Sequence, residues 1–315
     1  MKPPLLIAAA GLLVLGLAGC GTEPQATAAA DTGVNTSAEQ KRVTTTKNEA
    51  AVALLPAKVR DRGTLVVGAG FGSGSVPLGF YADDNKTPIG LEVDIAYLVA
   101  QALGLQPEIE VTSWENLFVG LDSAKYDVGF SNITVTEKRK QKYDFATYRK
   151  DDIAFEAKKG GSWRVAGAKD IAGKTIAVGS GTNQEKILVD WNEANVKAGL
   201  PAATIKYFQK NTDTYLALSS GRIDAYLGPN PSIAYHVKTS GETETIGKFS
   251  GAGPTLQGLI AATTKKDSGL VKAYQAAING VIADGSYAKV LGRWNVGNEA
   301  VTTSEINPPG LPLTS

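Results

Sequence analysis

The chain has 315 residues, of which 43% are hydrophobic and 20% charged, and its formal net charge is +1. These values are typical of a soluble globular protein with a full-sized core, and the length suits two lobes. The near-zero charge argues against a nucleic acid partner, which would require a basic face. A single Cys and a single His exclude a disulfide framework and argue against a Cys/His metal cluster or a Ser-His-Asp triad.

Residues 1–19 are predicted to be a targeting segment. The apolar run Leu5–Leu17 is too short and too rich in small residues to predict a membrane span. It leads into the letters L-A-G-C, ending at Cys20, which resemble a bacterial lipoprotein signal. This resemblance implies a lipid on the Cys20 sulfur, which would anchor the chain on the extracytoplasmic face of the cell membrane. The alternative is an ordinary secretory signal; it is disfavoured because the only cysteine lies where the signal ends.

Residues 20–55 are predicted to be the lipidated cysteine and a flexible tether. From Gly21 to Ala50 the chain is rich in Thr, Ala and Glu, and it has no aromatic residue and no apolar periodicity. Such a composition does not favour a packed core. The tether would let the folded part tilt toward a partner in the membrane.

The first folded elements are a short strand and a helix. The strand Thr64–Val67 leads into the glycine-rich loop Gly68–Ser75, which is not a phosphate loop because it lacks a Gly-Lys-Thr/Ser ending. Alternating glycines in this loop match a dinucleotide fingerprint only weakly, since no helix opens after them. The segment Ile89–Leu103 has apolar residues at helical spacing, and Gly104 is predicted to end this helix in a left-handed cap.

A second strand-to-helix junction places an aromatic side chain at a strand end. The strand Glu108–Val111 is followed by the letters T-S-W-E, which predict a capping box that starts the next helix. Trp114 lies at this junction. From the residues alone, a core tryptophan and an aromatic wall of a pocket are equally compatible with it.

The stretch Ser131–Phe145 reads S-N-I-T-V-T-E-K-R-K-Q-K-Y-D-F and follows the short buried strand Asp127–Phe130. Its first small polar residues fall at a strand end, where open α/β sheets place ligands. Arg139 follows and offers a planar fork that can grip a carboxylate with two hydrogen bonds. On spacing alone, the basic run Lys138–Lys142 favours a solvated helix start instead.

This stretch resembles the signature S-G-M-T-I-T-x-E-R…D-F-S of the polar amino acid family, the amino-acid-binding proteins of ABC importers. Similar matches recur from about Gly63 to Gly297. The resemblance implies an α/β, two-lobed periplasmic-binding-protein-like fold of type II, with two α/β lobes joined by a two-strand hinge and the ligand cleft between them. The implied boundaries are 56–152 with 258–298 for the first lobe and 153–257 for the second. The prolines and leucines of residues 299–315, broken by Gly310, predict an extended tail on the surface.

The resemblance also implies the ligand and its contacts. A small carboxylate, an amino acid or a derivative, would be clamped by Arg139 and covered by Trp114. A glycine-rich turn before the helix at Asn183 would meet the carboxylate from the second lobe, because helix N-termini attract anions; an ordinary turn is the alternative. The candidate ligand-binding residues are Phe71, Phe80, Trp114, Ser131, Asn132, Thr134, Arg139, Gly181, Thr182, Asn183 and Asn230.

The chain departs from the family pattern where the ligand amine is usually held. The segment Gly221–Leu227 matches the family's G-R-V-D-A-V-V, but the aspartate that follows there is replaced by Pro229, and an earlier acidic position is Gly70. Because a charge cannot be desolvated without compensation, two alternatives remain open. Either the ligand lacks a free amine, or aromatic faces hold its cation.

The leading functional prediction is a lipid-tethered, monomeric binding protein that delivers its solute to the membrane subunits of an ABC permease. No catalytic residue, metal or cofactor is predicted. The alternatives are an enzyme similar to cyclohexadienyl dehydratases and a ligand-sensing subunit of a membrane receptor. Asp151 and Asp152 are predicted to be solvated hinge residues, and His236 a surface or satisfied core residue.

Overall fold

The computed structural model describes residues 33–71, 75–208 and 210–313. The predicted targeting segment 1–19 and Cys20 lie outside the described residues. Within the described residues, none of the helices combines the length and the hydropathy that a membrane span requires.

The described part of the chain alternates strands and helices. The strands are β1 Thr64–Gly70, β2 Phe80–Tyr81, β3 Pro88–Ile89, β4 Gln106–Thr112, β5 Val128–Gly129, β6 Tyr143–Lys158, β7 Thr175–Val178, β8 Thr204–Tyr207, β9 Ala225–Pro229, β10 Thr243–Ser250 and β11 Gly258–Lys265. The helices are α1 Glu49–Val52, α2 Ala57–Arg62, α3 Leu91–Ala102, α4 Trp114–Asp122, α5 Asn183–Lys197, α6 Asn211–Ser219, α7 Asn230–Ser240, α8 Val271–Ala283 and α9 Ser286–Arg293. Short 3-10 helices span Arg139–Gln141, Ala168–Ile171 and Gly297–Glu299.

The long strand β6 joins the two halves of the molecule. The strands follow the order β4-β1-β5-β11-β6-β9-β7-β8, and β10 also pairs with β6. β6 pairs with β11 from Tyr143 to Asp151 and with β10 from Asp152 to Lys158. The chain crosses back through residues 251–257, between β10 and β11. We call the half that contains β11 the first lobe and the half that contains β10 the second lobe; the predicted two-lobed α/β fold is confirmed.

Helix α3 illustrates how the sequence determines an element of the first lobe. Its apolar residues recur at helical spacing, so Ile95, Leu98 and Val99 are buried in the core of that lobe. The helix ends close to Gly104, whose positive φ of 66° gives the left-handed conformation that glycine favours. The next helix, α4, is capped by Ser113, whose Oγ accepts a hydrogen bond from the amide of Asn116. The capping residue is therefore one position later than the capping box predicted.

The segment predicted as a flexible tether is packed against the first lobe from Gly33 onward. Ala51 and Leu55 are buried in the core of that lobe, and Val34 packs against it. Arg42 forms an ion pair with Asp94 at 3.1 Å. The tether prediction is therefore corrected for residues 33–55. Single apolar residues of this segment, such as Val34, Ala51 and Leu55, pack against the core of the first lobe. Because they are isolated along the chain, they produce no apolar periodicity in the sequence.

The C-terminal tail is extended, as predicted, but it does not lie only on the surface. The amide of Asn307 donates to the carbonyl of Phe145 in the first lobe, at 3.0 Å. Leu311 pairs with Val135 through its backbone, and its side chain is buried in the core of the second lobe. The tail therefore contacts both lobes.

Candidate functional site

A cavity of about 230 Å³ lies between the two lobes, and we call it the inner cavity. It is formed by strand ends. In the first lobe β1 runs parallel to β4 and β5, and in the second lobe β7 runs parallel to β8 and β9. In each lobe the residues that follow these strands line the cavity, which is where parallel α/β sheets place ligands. The predicted residues that line it are Phe71, Trp114, Ser131, Asn132, Thr182 and Asn183.

A second space, which we call the outer groove, lies beside the inner cavity and has a volume of about 630 Å³. It is lined by Arg139 and Phe118 of the first lobe, by the N-terminal part of α5, and by the tail residues Leu311–Leu313. Thr182 and Asn183 line both spaces. The turn that starts α5 therefore separates the inner cavity from the outer groove.

Arg139 lies on the groove side of this turn and connects the lobes. Its guanidinium donates to the carbonyl of Thr134 at 2.9 Å and to the carbonyl of Gly181, in the second lobe, at 3.1 Å. It also lies over the ring of Trp114, 5.1 Å from the ring centre. Burial lowers the pKa of Arg139 to about 10. In the part of the chain that the structure describes, no carboxylate pairs with it at ion-pair distance.

Thr134 and Asn183, both predicted to bind the ligand, instead donate to a buried carboxylate of the hinge strand. The Oδ2 atom of Asp151 accepts from the Thr134 hydroxyl at 2.8 Å and from the Asn183 amide at 2.9 Å. Asp151 is only 1% exposed, so the prediction of a solvated residue was wrong. Burial raises the pKa of Asp151, and the hydrogen bond from Thr134 and the charge of Arg149 oppose this effect.

Two further predicted residues lie outside the inner cavity. The ring of Phe80 packs edge-on against Trp294, with ring centres 6.0 Å apart, inside the core of the first lobe. Asn230 donates its amide to Glu299 at 3.1 Å. Neither side chain lines the inner cavity, so the prediction that Phe80 and Asn230 contact the solute is corrected. Gly181 contributes its carbonyl to Arg139 and lines the outer groove.

The structure accounts for the glycine at position 70, where the family pattern would place an acid. The amide and carbonyl of Gly70 both bond to the hydroxyl of Ser131, and a Cβ atom at Gly70 would lie 2.9 Å from that oxygen. Near Pro229, a Cβ atom at Gly228 would lie 2.5 Å from the hydroxyl of Tyr226. The cavity is therefore not enlarged at Gly228, because the Tyr226 ring fills that space.

Sequence reasoning missed a buried ionic network beside the cavity. Arg149 is fully buried and pairs with Glu92 at 3.2 Å and, more closely, with Glu299. It also donates to the side-chain oxygen of Asn132, and the hydroxyl of Tyr148 donates to Glu92. Glu92 lines the inner cavity. The sequence did contain a signal for a buried acid, because Glu92 lies between the apolar residues Leu91 and Val93 at the start of α3.

The single histidine has a structural role. His236 stacks on Tyr215 with ring centres 3.6 Å apart, and its Nδ1 atom lies 2.5 Å from a carboxylate oxygen of Glu156. The prediction of a satisfied residue is consistent with these contacts. Among the described residues, no group of three His, Cys, Asp or Glu side chains is placed to hold a metal ion.

Residues 67–297 match the bacterial extracellular solute-binding proteins, family 3. The chain belongs to this family. The L-cystine-binding protein TcyJ of Escherichia coli (strain K12) is 32% identical over 239 residues, which cover 75% of this chain and 84% of TcyJ. The predicted family of polar amino acid solute-binding proteins is therefore confirmed, and with it a solute-binding role.

Solved structures agree with this assignment. An ancestral arginine-binding protein bound to arginine has a TM-score of 0.64 and 27% identity, and the match covers 74% of this chain and 98% of that protein. The ancestral amino acid-binding protein AncCDT-1, a precursor of cyclohexadienyl dehydratase, has a TM-score of 0.62 and 26% identity, with coverage of 77% and 98%.

Proposed function

We propose that this family member is the solute-binding component of an ABC importer, and that it closes its lobes on a small amino acid or amino-acid-like carboxylate. The observation that carries the proposal is the position of Arg139. Its partly buried guanidinium lies between the lobes, next to the turn that borders the inner cavity, and its hydrogen-bond partners there are neutral carbonyls. The relatives described above are named for amino acids, which supports this class of solute.

A partly buried guanidinium that has no carboxylate at ion-pair distance is incompletely compensated, and the carboxylate of a solute would supply such a partner. A carboxylate at the edge of the inner cavity would exchange the neutral bond to Gly181 for a charge-assisted bond, which is stronger. Such a solute contacts both lobes, so its binding favours the closed arrangement over an open one.

The size of the inner cavity favours a small solute. Pockets for drug-sized ligands usually measure about 300–1,000 Å³, and the volume of about 230 Å³ lies just below this range. The cavity has aromatic walls, including Trp114 and Phe71, and polar groups from both lobes. This combination suits a single amino acid better than a peptide.

The proposal includes a lipid anchor on Cys20 and delivery of the solute to a permease in the same membrane, with the binding protein acting as a monomer. The packed part of the chain begins by Gly33, which leaves residues 21–32 to connect it to the lipid. A Cys20→Ser variant is expected to move from the membrane fraction to the soluble fraction.

A dehydratase-type enzyme is the second candidate, and the carboxylate of Glu92 in the cavity is the observation that favours it. A general acid must present a transferable proton to the substrate. Both oxygens of Glu92 are engaged by Tyr148 and Arg149, so the binding function is preferred.

A sensing subunit would use the same binding step, and it would copurify with a receptor instead of a permease.

The test is a thermal-shift panel of amino acids, N-methylated derivatives, betaines and amine-free acids, followed by calorimetry of the compounds that stabilise the protein. Native mass spectrometry of protein purified without refolding would reveal a carried-over solute. We expect a subset of amino acids to bind, and prephenate to remain unconsumed in an absorbance assay. Turnover of prephenate, with no stabilisation by any amino acid, would reject the proposal.

A further inference from the structure

We propose that residues 304–313 of the C-terminal tail form a strap that holds the two lobes together before a solute binds. The arrangement that the strap favours is the closed one, in which Arg139 reaches Gly181 across the lobes. These residues lie outside the segment 67–297 that matches the family, so the strap is an addition to the matched part of the chain. The inference goes beyond the proposed function, because it concerns the free protein and requires no particular solute.

The backbone of the strap is bonded to the first lobe. The amide of Asn307 donates to the carbonyl of Phe145 at 3.0 Å, and the amide of Phe145 donates to the side-chain oxygen of Asn307 at 2.9 Å. Further along, the amide of Leu311 donates to the carbonyl of Val135 at 3.1 Å, and the carbonyl of Leu311 accepts from the amide of Glu137 at 2.9 Å. The strap therefore follows the first lobe at two separate places.

Gly310 lets the strap lie directly against the first lobe. A Cβ atom at this position would lie 2.4 Å from the carbonyl oxygen of Val135, which is too close for any side chain. The amide of Gly310 donates to the carboxylate of Glu137 at 2.9 Å, and the Lys140 Nζ atom donates to the carbonyl of Pro308 at 3.1 Å. A larger residue at position 310 would therefore push the strap away from the first lobe.

The side chain of Leu311 packs on the other side, in the second lobe. It is 2% exposed and belongs to the apolar core cluster of that lobe, whose other described members lie between residues 153 and 252. One of these members, Ala252, lies in the segment by which the chain returns to the first lobe. Leu311 is therefore held by the first lobe through its backbone and by the second lobe through its side chain.

These two attachments oppose separation of the lobes. Movement about the hinge must either pull the Leu311 side chain out of the second lobe or break its backbone bonds to Val135 and Glu137. Burial of a leucine side chain favours the arrangement in which it is buried by about tenfold or more. A larger closed population before binding raises the apparent affinity for a solute, because less of the binding free energy is used for closure.

The test is the distance between the lobes in the solute-free full chain, measured by double electron–electron resonance. Spin labels are attached to cysteines at Val119 of the first lobe and Val196 of the second, which are 63% and 53% exposed, in a Cys20→Ser background. Unfolding and refolding remove any carried-over solute. We expect the parent to show one main distance, in agreement with this structure. Leu311→Ala and Gly310→Ala should each add a second distance, with the open-to-closed ratio raised by about tenfold.

Two controls match these variants. Leu313→Ala truncates a leucine of the same tail that is 53% exposed, and Gly297→Ala adds a Cβ atom that meets nothing within 4 Å. Both controls should keep the distance of the parent. The inference is overturned if the open distance already dominates in the parent, if the strap variants keep the parent's distance, or if the controls shift as much as they do. None of these results would affect the proposed contact between the solute and Arg139. If Leu311→Ala does not fold, the parent and Gly310→Ala still decide, because Gly310→Ala leaves the core of the second lobe intact.

Discussion

Arg139 shows how one side chain can belong to both lobes. Its backbone amide donates to the Thr136 hydroxyl at 3.1 Å, which fixes the start of the short helix, and its guanidinium reaches the carbonyl of Gly181 in the other lobe. These bonds to neutral partners contribute little to stability, about 0.5–1.5 kcal/mol each. The same guanidinium is the group that a carboxylate solute would engage.

Arg139→Ala is expected to weaken solute binding by about a hundredfold or more, because a desolvated charge-assisted bond is lost. The free energy of unfolding should change by no more than about 1–2 kcal/mol, since the substitution removes two bonds to neutral carbonyls and the contact with the Trp114 ring. Calorimetry and urea unfolding measure the two effects. Lys138→Ala, at the exposed neighbouring position, is the control and should bind as the parent does. An unchanged affinity of Arg139→Ala would exclude the carboxylate contact.

Asp151 provides a prediction about pH. Burial raises its pKa above the usual 3.8, so the folded state holds the proton more tightly than the unfolded chain does. Asp151 is therefore protonated, and the protein has its full stability, below the pKa that Asp151 has in the unfolded chain. Ionisation of Asp151 lowers the stability as the pH rises through the pKa that it has in the folded state. Asp151→Asn should be more stable than the parent at pH 7, and this advantage should decline as the pH falls toward 4. Urea unfolding at both pH values tests this; a loss of stability at pH 7 would show that the ionised carboxylate is needed.

At the residue scale, the sequence predicted the position of Arg139 beside the turn at Gly181, because each of them lies in a recognisable motif of the family. It did not predict Glu92 or Asp151 as buried acids. Their burial depends on Arg149 and Asn183, which lie far along the chain, and no periodicity records such partners. Phe80 and Asn230 were misplaced for the same reason, since Trp294 and Glu299 determine where they lie.

Among the elements, the C-terminal tail makes contacts that the sequence did not predict. Its prolines and glycine predict an extended strand, and the structure agrees, but only the folded molecule shows that Leu311 is buried at 2% exposure in the core of the second lobe. The helices α3 and α5 were predicted close to their observed positions, because apolar spacing and glycine caps act locally.

Leu311→Ala should lower the free energy of unfolding by about 2–4 kcal/mol, as expected when a buried leucine side chain is truncated. Leu313, which is 53% exposed, provides the matched control, and its replacement by alanine should change stability by less than about 0.5 kcal/mol. Urea unfolding of both variants measures the difference. Equal effects of the two substitutions would mean that the tail does not hold the second lobe.

At the scale of the whole molecule, two segments connect the lobes: the continuous strand β6 and the returning residues 251–257. β6 changes partners between Asp151 and Asp152, so the backbone about which the lobes would move lies beside the buried carboxylate of the hinge. The family motif predicted two lobes and a hinge. It did not predict that residues 33–55 pack against the first lobe, because these contacts with α3 and α8 join parts of the chain that are distant in sequence.

The central claim is that a carboxylate solute is held between the two lobes at Arg139. The most direct measurement is a crystal structure of the full chain with the amino acid that calorimetry ranks tightest. We expect its carboxylate to lie about 3 Å from the Arg139 guanidinium and the rest of the solute to lie in the inner cavity. A solute whose carboxylate lies away from Arg139 would contradict this claim.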